Sequence, residues 1–320
     1  MEKKDGIGLL GINILYLITA ILLLTVGYYV QSRNIKSGLV ITEYILVLLP
    51  PLIYIKMKGD SFKRVLRLNK LKGKHALMVI GITVLIYPVA LFFNLIMMTV
   101  LSTLGKIEPP PIPTANNIGE YFVLMIIIAM SAGICEEVFF RGLVMRGYEK
   151  LGQINGIVLS SLLFGVFHFN IQNIAGPIVL GLVFGFLVYR TNSIFAGIIG
   201  HMTNNGIAVT FGFLMNYIHS KLPETNIDMQ PQMPNTMQLI FGTVFIGMIA
   251  VVTGAIAYFL VRIIIKDTKN ISYSMDNRIE NVQNNVEVKK TSLLIFTPIL
   301  LTGIIFIYVA YIQLQYIIAK

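Results

Sequence analysis

The sequence predicts an all-α fold, a polytopic transmembrane helical bundle of about eight or nine spans. Two observations carry this expectation. Hydrophobic residues make up 56% of the 320 and charged residues only 12%, far from the composition of a soluble globular domain. Apolar windows long enough to cross a hydrocarbon core about 30 Å thick also recur along the whole chain. They fall near 7–30, 38–55, 76–105, 119–145, 154–170, 172–189, 193–218, 237–264 and 292–318, the fifth and sixth being short.

The first window is too long for the apolar stretch of a signal peptide and lacks a small-residue cleavage site, so it reads as a retained span. Between the second and third windows, Lys56 to Lys74 interleaves Phe62, Val65, Leu66, Leu68 and Leu71 with basic residues. That pattern fits a segment lying on the membrane surface or a solvated loop that fixes orientation. Pro109, Pro110, Pro111 and Pro113 cannot continue a helix and predict a stiff connector before the fourth window. In the sixth window Pro177 predicts a kink. Gly181 and Gly185, four apart, offer a small-residue face for close helix packing. The stretches 219–236 and 266–290 are polar and aperiodic, and read as linkers.

The net charge of +10 is a topology signal before it is anything else. With a cytosolic N-terminus, nineteen of the 25 basic residues fall on the inner side and five on the outer side, Arg141 alone remaining inside a span. This satisfies the positive-inside rule and predicts a multi-pass cell-membrane protein whose partner is the lipid bilayer, not nucleic acid. The single cysteine, Cys135, excludes an intramolecular disulfide and any paired-cysteine metal motif. Oligomeric state is not encoded in any visible pattern.

A charge at mid-membrane costs about 2.5–3.5 kcal/mol on insertion scales, so polar residues there mark function. The fourth window carries Glu136, Glu137 and Arg141, the fifth carries Phe164 and His168, and the seventh carries His201 and Asn205. Glu137 and Arg141 stand i and i+4 with the acid first, the favoured order for an intrahelical ion pair. Glu136 points about 100° away and lacks an intrahelical cation. His201 and Asn205 share one helix face, as do Phe164 and His168. In lipid the cheapest arrangement brings these polar faces together around a small wet cavity. Carboxylate and imidazole can activate a water there, with an amide and a second imidazole stabilising an oxyanion. Alternatively Glu136, His168 and His201 can hold a divalent metal such as zinc with an open water position. Spacing does not separate the two chemistries. Cys135 beside Glu136 reads as a small hydrophobe, and Glu43 is expected near the outer end of its span, within reach of water, with a place at the cavity as the alternative.

Glu136-Glu137-Val-Phe-Phe-Arg141, Phe164-Gly-Val-Phe-His168 and His201-Met-Thr-Asn-Asn205 resemble the EExxxR, FxxxH and HxxxN motifs of the type II CAAX prenyl endopeptidase and bacteriocin-processing (CPBP, or Abi) family. The resemblance covers roughly 119–210. It divides the chain into N-terminal spans with a basic cytosolic loop at 1–118, a catalytic core at 119–210, and C-terminal spans with a second cytosolic loop at 211–320. It implies an intramembrane endopeptidase with a cavity reached from the cytosolic side. In it Glu136, assisted by His168, activates water, and His201 and Asn205 stabilise the oxyanion. Glu137 and Arg141 support them, with Phe164 in the site wall. The family has been described both as metalloproteases and as glutamate-type proteases, so the resemblance leaves metal dependence open. The Ile-, Lys- and Asn-rich composition without tryptophan points to a bacterium, where the substrate expected is a peptide or a membrane protein and not a prenylated one. Two other function classes compete: a catalytically silent membrane scaffold or bacteriocin-immunity protein, and an ion-coupled transporter, for which the inverted repeats are not visible.

Overall fold

A computed structural model describes residues 7–107, 113–221, 234–271 and 293–319. Among them there is no strand, and nine long helical rods follow the apolar windows. They are α1 Leu9–Arg33, α2 Ile35–Met57, α3 Gly73–Ser102, α4 Ile118–Leu151, α5 Gln153–Phe167, α6 Ala175–Thr191, α7 Ile194–His219, α8 Thr236–Asp267 and α9 Leu293–Ile318. Six of them (α1 to α4, α8 and α9) are long and apolar enough to cross a membrane. Helices α5 and α6 are apolar but short. Helix α7 is long, but its middle carries the polar run His201 to Asn205. The proline-rich connector falls largely on 108–112, and both polar linkers fall largely on 222–233 and 272–292, outside the described residues.

Local sequence sets the ends of these rods. The Asn117 side chain accepts the backbone N–H of Glu120 to start α4, and Asn235 with Gln238 forms a capping box at α8. Asn192, in the left-handed region at φ 49°, ends α6 and turns the chain sharply into α7. Pro177 does not kink α6. The helix begins at Ala175, so the proline occupies the first turn, where its missing N–H costs nothing. Gly181 does pack closely: a Cβ there would lie 2.9 Å from the Ser161 Cβ on α5.

Helix α4 is the most enclosed span, packed by α7, α5, α2 and α1, whereas α8 lies along α3 and α9 along α1 at the rim. Phe139, Phe140, Leu143 and Val144 of α4 are fully buried with Tyr16 and Phe167 around them. Two π-helical stretches, Met125–Ser131 and Val138–Val144, flank the short α-helical piece Ala132–Glu137 that carries the two carboxylates. Such widened turns shift the side chains that follow around the helix.

The basic segment after α2 is anchored in the protein at its middle and is not a free loop. After the one-turn helix Phe62–Val65 it folds into the protein, burying Val65, Leu66 and Arg67. Arg67 adopts a left-handed backbone (φ 52°), and its guanidinium lies 2.6 and 2.7 Å from the two carboxylate oxygens of Glu149, near the end of α4. The Arg67 carbonyl also accepts the N–H of Ile194 at the start of α7. Burial lowers the Arg67 pKa from its ordinary value, and the Glu149 carboxylate opposes that shift.

Removing one partner of such a pair leaves an uncompensated buried charge, which costs about 3–5 kcal/mol. Arg67→Ala should therefore lower the detergent-solubilised unfolding midpoint strongly. The double change Arg67→Met, Glu149→Leu should recover most of the loss, and no recovery would show that the pair is not the source.

Candidate active site

His201 is the meeting point of the site. It lies seven residues into α7, and its Nδ1 is 3.0 Å from Oε1 of Glu137 while its Nε2 is 3.7 Å from Oε2 of Glu136. The two neighbouring carboxylates of α4 thus flank one imidazole. Glu137 is itself fixed by Arg141, one turn on at 2.8 Å, as the i,i+4 spacing requires. Both are essentially inaccessible, at 0% and 1%. The Arg141 guanidinium lies over the Phe164 ring at 4.5 Å, a contact that gives a desolvated cation a π-face.

Phe164 is the wedge between the two histidines. Its ring meets the imidazole of His168 edge-on at 5.0 Å and that of His201 edge-on at 5.7 Å. His168 caps the end of α5, where Phe169 at φ 46° breaks the helix, and its Nδ1 is 2.8 Å from the Phe164 carbonyl. A carbonyl only accepts, so Nδ1 carries the proton and Nε2 of the neutral ring keeps its lone pair. Asn205 donates through Nδ2 to the Ile128 carbonyl at 3.1 Å and accepts from Asn204 at 3.0 Å, which fixes its amide on the α4 side of α7.

The polar residues of three spans therefore converge. His168 reaches the level of Glu136 because α4 runs on to Leu151, beyond the end of its apolar window. Each residue is then fifteen positions from the end of its helix at the α4–α5 turn, Leu151 for Glu136 and Gln153 for His168, about 22 Å at 1.5 Å per residue. His168, His201, Asn204, Asn205, Phe164 and Phe184 line a cavity of about 450 Å³ that rises between α3, α6 and α7 towards Pro113 and Thr114. Glu136 is not among its wall residues. Its buried Oε2 has no hydrogen-bond partner and lies 3.7 Å from His201 Nε2.

Two corrections concern titratable side chains. Glu43, expected to reach water, is buried at 7% exposure because the π-helical stretch Thr42–Leu48 of α2 packs against Ala132–Glu137. It sits close enough to Glu136 for their charges to interact, and its Oε2 has no partner. A carboxylate inside an apolar window was itself the signal for it. His75 and His219 stand at the ends of their apolar windows, where the sequence predicts side chains at the membrane interface; His75 is instead buried at 3% with Nε2 3.6 Å from Asp267, whereas His219 is exposed.

The three candidate metal ligands, Glu136, His168 and His201, are not gathered into one set in this structure. Among the described residues no group of three or more His, Cys, Asp or Glu side chains is gathered closely enough to hold a metal ion. Glu136 and His201 approach each other, but the His168 ring does not complete a set of three with them, and a catalytic zinc takes three protein ligands.

Residues 118–207 match the Rce1-like family, type II CAAX prenyl endopeptidases. The Rce1-like stretch begins at the first residue of α4 and ends two residues beyond Asn205, so it contains every residue of the cluster around His201 except Glu43. The chain is also 30% identical over 127 residues to a Bacillus subtilis (strain 168) protein named "Putative membrane peptidase YdiL". That match takes in 38% of this chain and 47% of the relative, so it spans about half of that protein's length. No solved structure matches the chain. The apolar helices make the chain a helical membrane protein, and its stretch 118–207 is similar to the Rce1-like family.

Gly197 lets α7 approach the Glu137–Arg141 pair. A Cβ there would strike the Glu137 carboxylate and come within 2.9 Å of Val188. In an open helix Gly→Ala stabilises by up to about 1 kcal/mol. Here Gly197→Ala is expected to destabilise instead, by about 1–3 kcal/mol from overpacking, read as a lower thermal midpoint in detergent. An unchanged or raised midpoint would mean that the carboxylate is not held against this glycine.

Proposed function

We propose that the protein is an intramembrane endopeptidase that hydrolyses a peptide bond in a membrane-associated peptide or protein. The observation that carries the reading is the His201 imidazole, flanked by Glu136 and Glu137, in the wall of a cavity that His168 and Asn205 also line. The Rce1-like match over the same residues and the membrane-peptidase relative support it.

In this reading Glu136 takes a proton from water with the lone pair of His168 Nε2 assisting, and the water oxygen attacks the carbonyl carbon. His201, donating Nδ1–H to Glu137 and Nε2–H to the reacting carbonyl oxygen, stabilises the oxyanion together with an Asn205 amide N–H. The proton held by Glu136 then passes to the leaving nitrogen as the C–N bond breaks, giving a carboxylic acid and an amine. Glu137 and Arg141 act by holding His201, and Phe164 by fixing the spacing of the two imidazoles. No step needs a metal. The N-terminus is assigned to the cytosol by the distribution of basic residues, and the composition assigns the chain to a bacterium.

The deciding experiment is cleavage of membrane-associated peptides by purified, reconstituted protein. Glu136→Gln keeps the shape and removes the base, so it is expected to lower cleavage by about 10²–10⁴-fold, and a chelator is expected to leave the wild-type rate within about twofold. Equal cleavage by the variant would overturn the mechanism, whereas cleavage by neither protein would favour the catalytically silent scaffold. Loss of activity in chelator would replace the metal-free chemistry with a metal-assisted one.

A further inference from the structure

The bundle has a basic end and a charge-poor end. At the basic end stand fourteen described Lys and Arg residues, carried by the segment Lys56–Lys74, the ends of α4, α6 and α8, and the turn after α8. Contacts gather them at one level: Arg67 with Glu149, Lys74 with Asp267 at 2.7 Å, and Arg190 with the Ile265 carbonyl at 2.6 Å. The opposite end holds four described basic residues, Arg33, Lys36, Lys106 and Lys221.

The cavity opens towards the charge-poor end. Its wall on α3 runs from Tyr87 to Met98, the half of the helix remote from the basic segment. On α6 it uses Gly176 to Phe184, the half remote from Arg190, and on α7 it rises from His201 to Gly212. At its top are Pro113 and the exposed Thr114, whose hydroxyl is tied to Asn216 late in α7 at 2.9 Å. Towards the basic end there is no comparable path along α4. Below Glu137 come Phe139, Phe140, Leu143 and Val144, all at 0% exposure, then Tyr148 at 2% and the buried Arg67–Glu149 pair. The wall contains no Asp, Glu, Lys or Arg but several amides, and the buried Oε1 of Gln172 has no partner, an acceptor open to a peptide N–H.

We infer that the substrate enters from the charge-poor end, which the positive-inside rule makes the extracytoplasmic face, so that the bond cut belongs to an uncharged stretch of peptide presented on the outer side of the membrane. This is the face opposite to the one implied by the family resemblance. What enters rests on the proposed peptidase activity, but where it enters does not.

The test uses single added cysteines in intact cells, since the native Cys135 is fully buried and does not compete. Thr114→Cys probes the mouth, Ala208→Cys the wall within, and Lys70→Cys the basic end. A charged, membrane-impermeant methanethiosulfonate reagent is expected to modify the first two variants in intact cells and the Lys70→Cys protein only after permeabilisation. Modification of Lys70→Cys from outside, with Ala208→Cys protected until permeabilisation, would reverse the assignment. So would an Ala208→Cys protein that reacts in neither preparation while Thr114→Cys does, because the mouth would then not lead to the site. In reconstituted vesicles a peptide too polar to cross the bilayer should be cut only when supplied on the Thr114 side. If Glu136→Gln still cleaves while the labelling pattern holds, the peptidase mechanism fails and the access route survives.

Discussion

Everything in the site depends on a buried charge that cannot be left alone. Arg141 and Glu137 sit at 1% and 0% exposure inside a helical bundle in lipid, where an unpaired ion costs several kcal/mol. Their pairing along one turn of α4 offsets part of that cost, and the same Glu137 oxygen also meets His201 Nδ1. The imidazole is thereby held in one orientation, with Nε2 turned to Glu136. Phe164, under the guanidinium and between the histidines, carries the same constraint to α5. Three helices are locked together by one ion pair, and the chemistry proposed for Glu136 relies on that rigidity.

The helices were legible because lipid leaves the backbone few choices. Apolar windows of about twenty residues become helices whatever their details, and the nine windows correspond to nine rods. How each rod sits in the bilayer was less legible. Length and hydropathy single out six as membrane-crossing, because α5 stops at Phe167, α6 starts only at Ala175, and α7 gives part of its apolar length to the site. The Pro177 kink was misjudged for a related reason. Periodicity does not reveal where a helix starts, and a proline in the first turn is compatible with a straight one.

Within the site, residues related by i and i+4 on one helix were readable from spacing, and contacts between helices were not. Glu137 with Arg141 and Phe164 with His168 follow from helix geometry. That both carboxylates would address the same imidazole does not, since side chains 100° apart on a regular helix face different neighbours, and His201 reaches both from the flank. Glu43 was placed by its position along α2, whereas its burial depends on which face of α2 meets α4. Gly197 looked like one more small residue among many, and its role emerges only once the Glu137 carboxylate is seen to occupy the space its Cβ would need.

The buried link between Arg67 and Glu149 also bears on how the chain is assembled. The two residues are 82 positions apart. Arg67 therefore joins three stretches that are far apart in the chain: the segment after α2, the end of α4 through Glu149, and through its own carbonyl the first turn of α7. A change at Arg67 reaches His201 along the helix that starts on it.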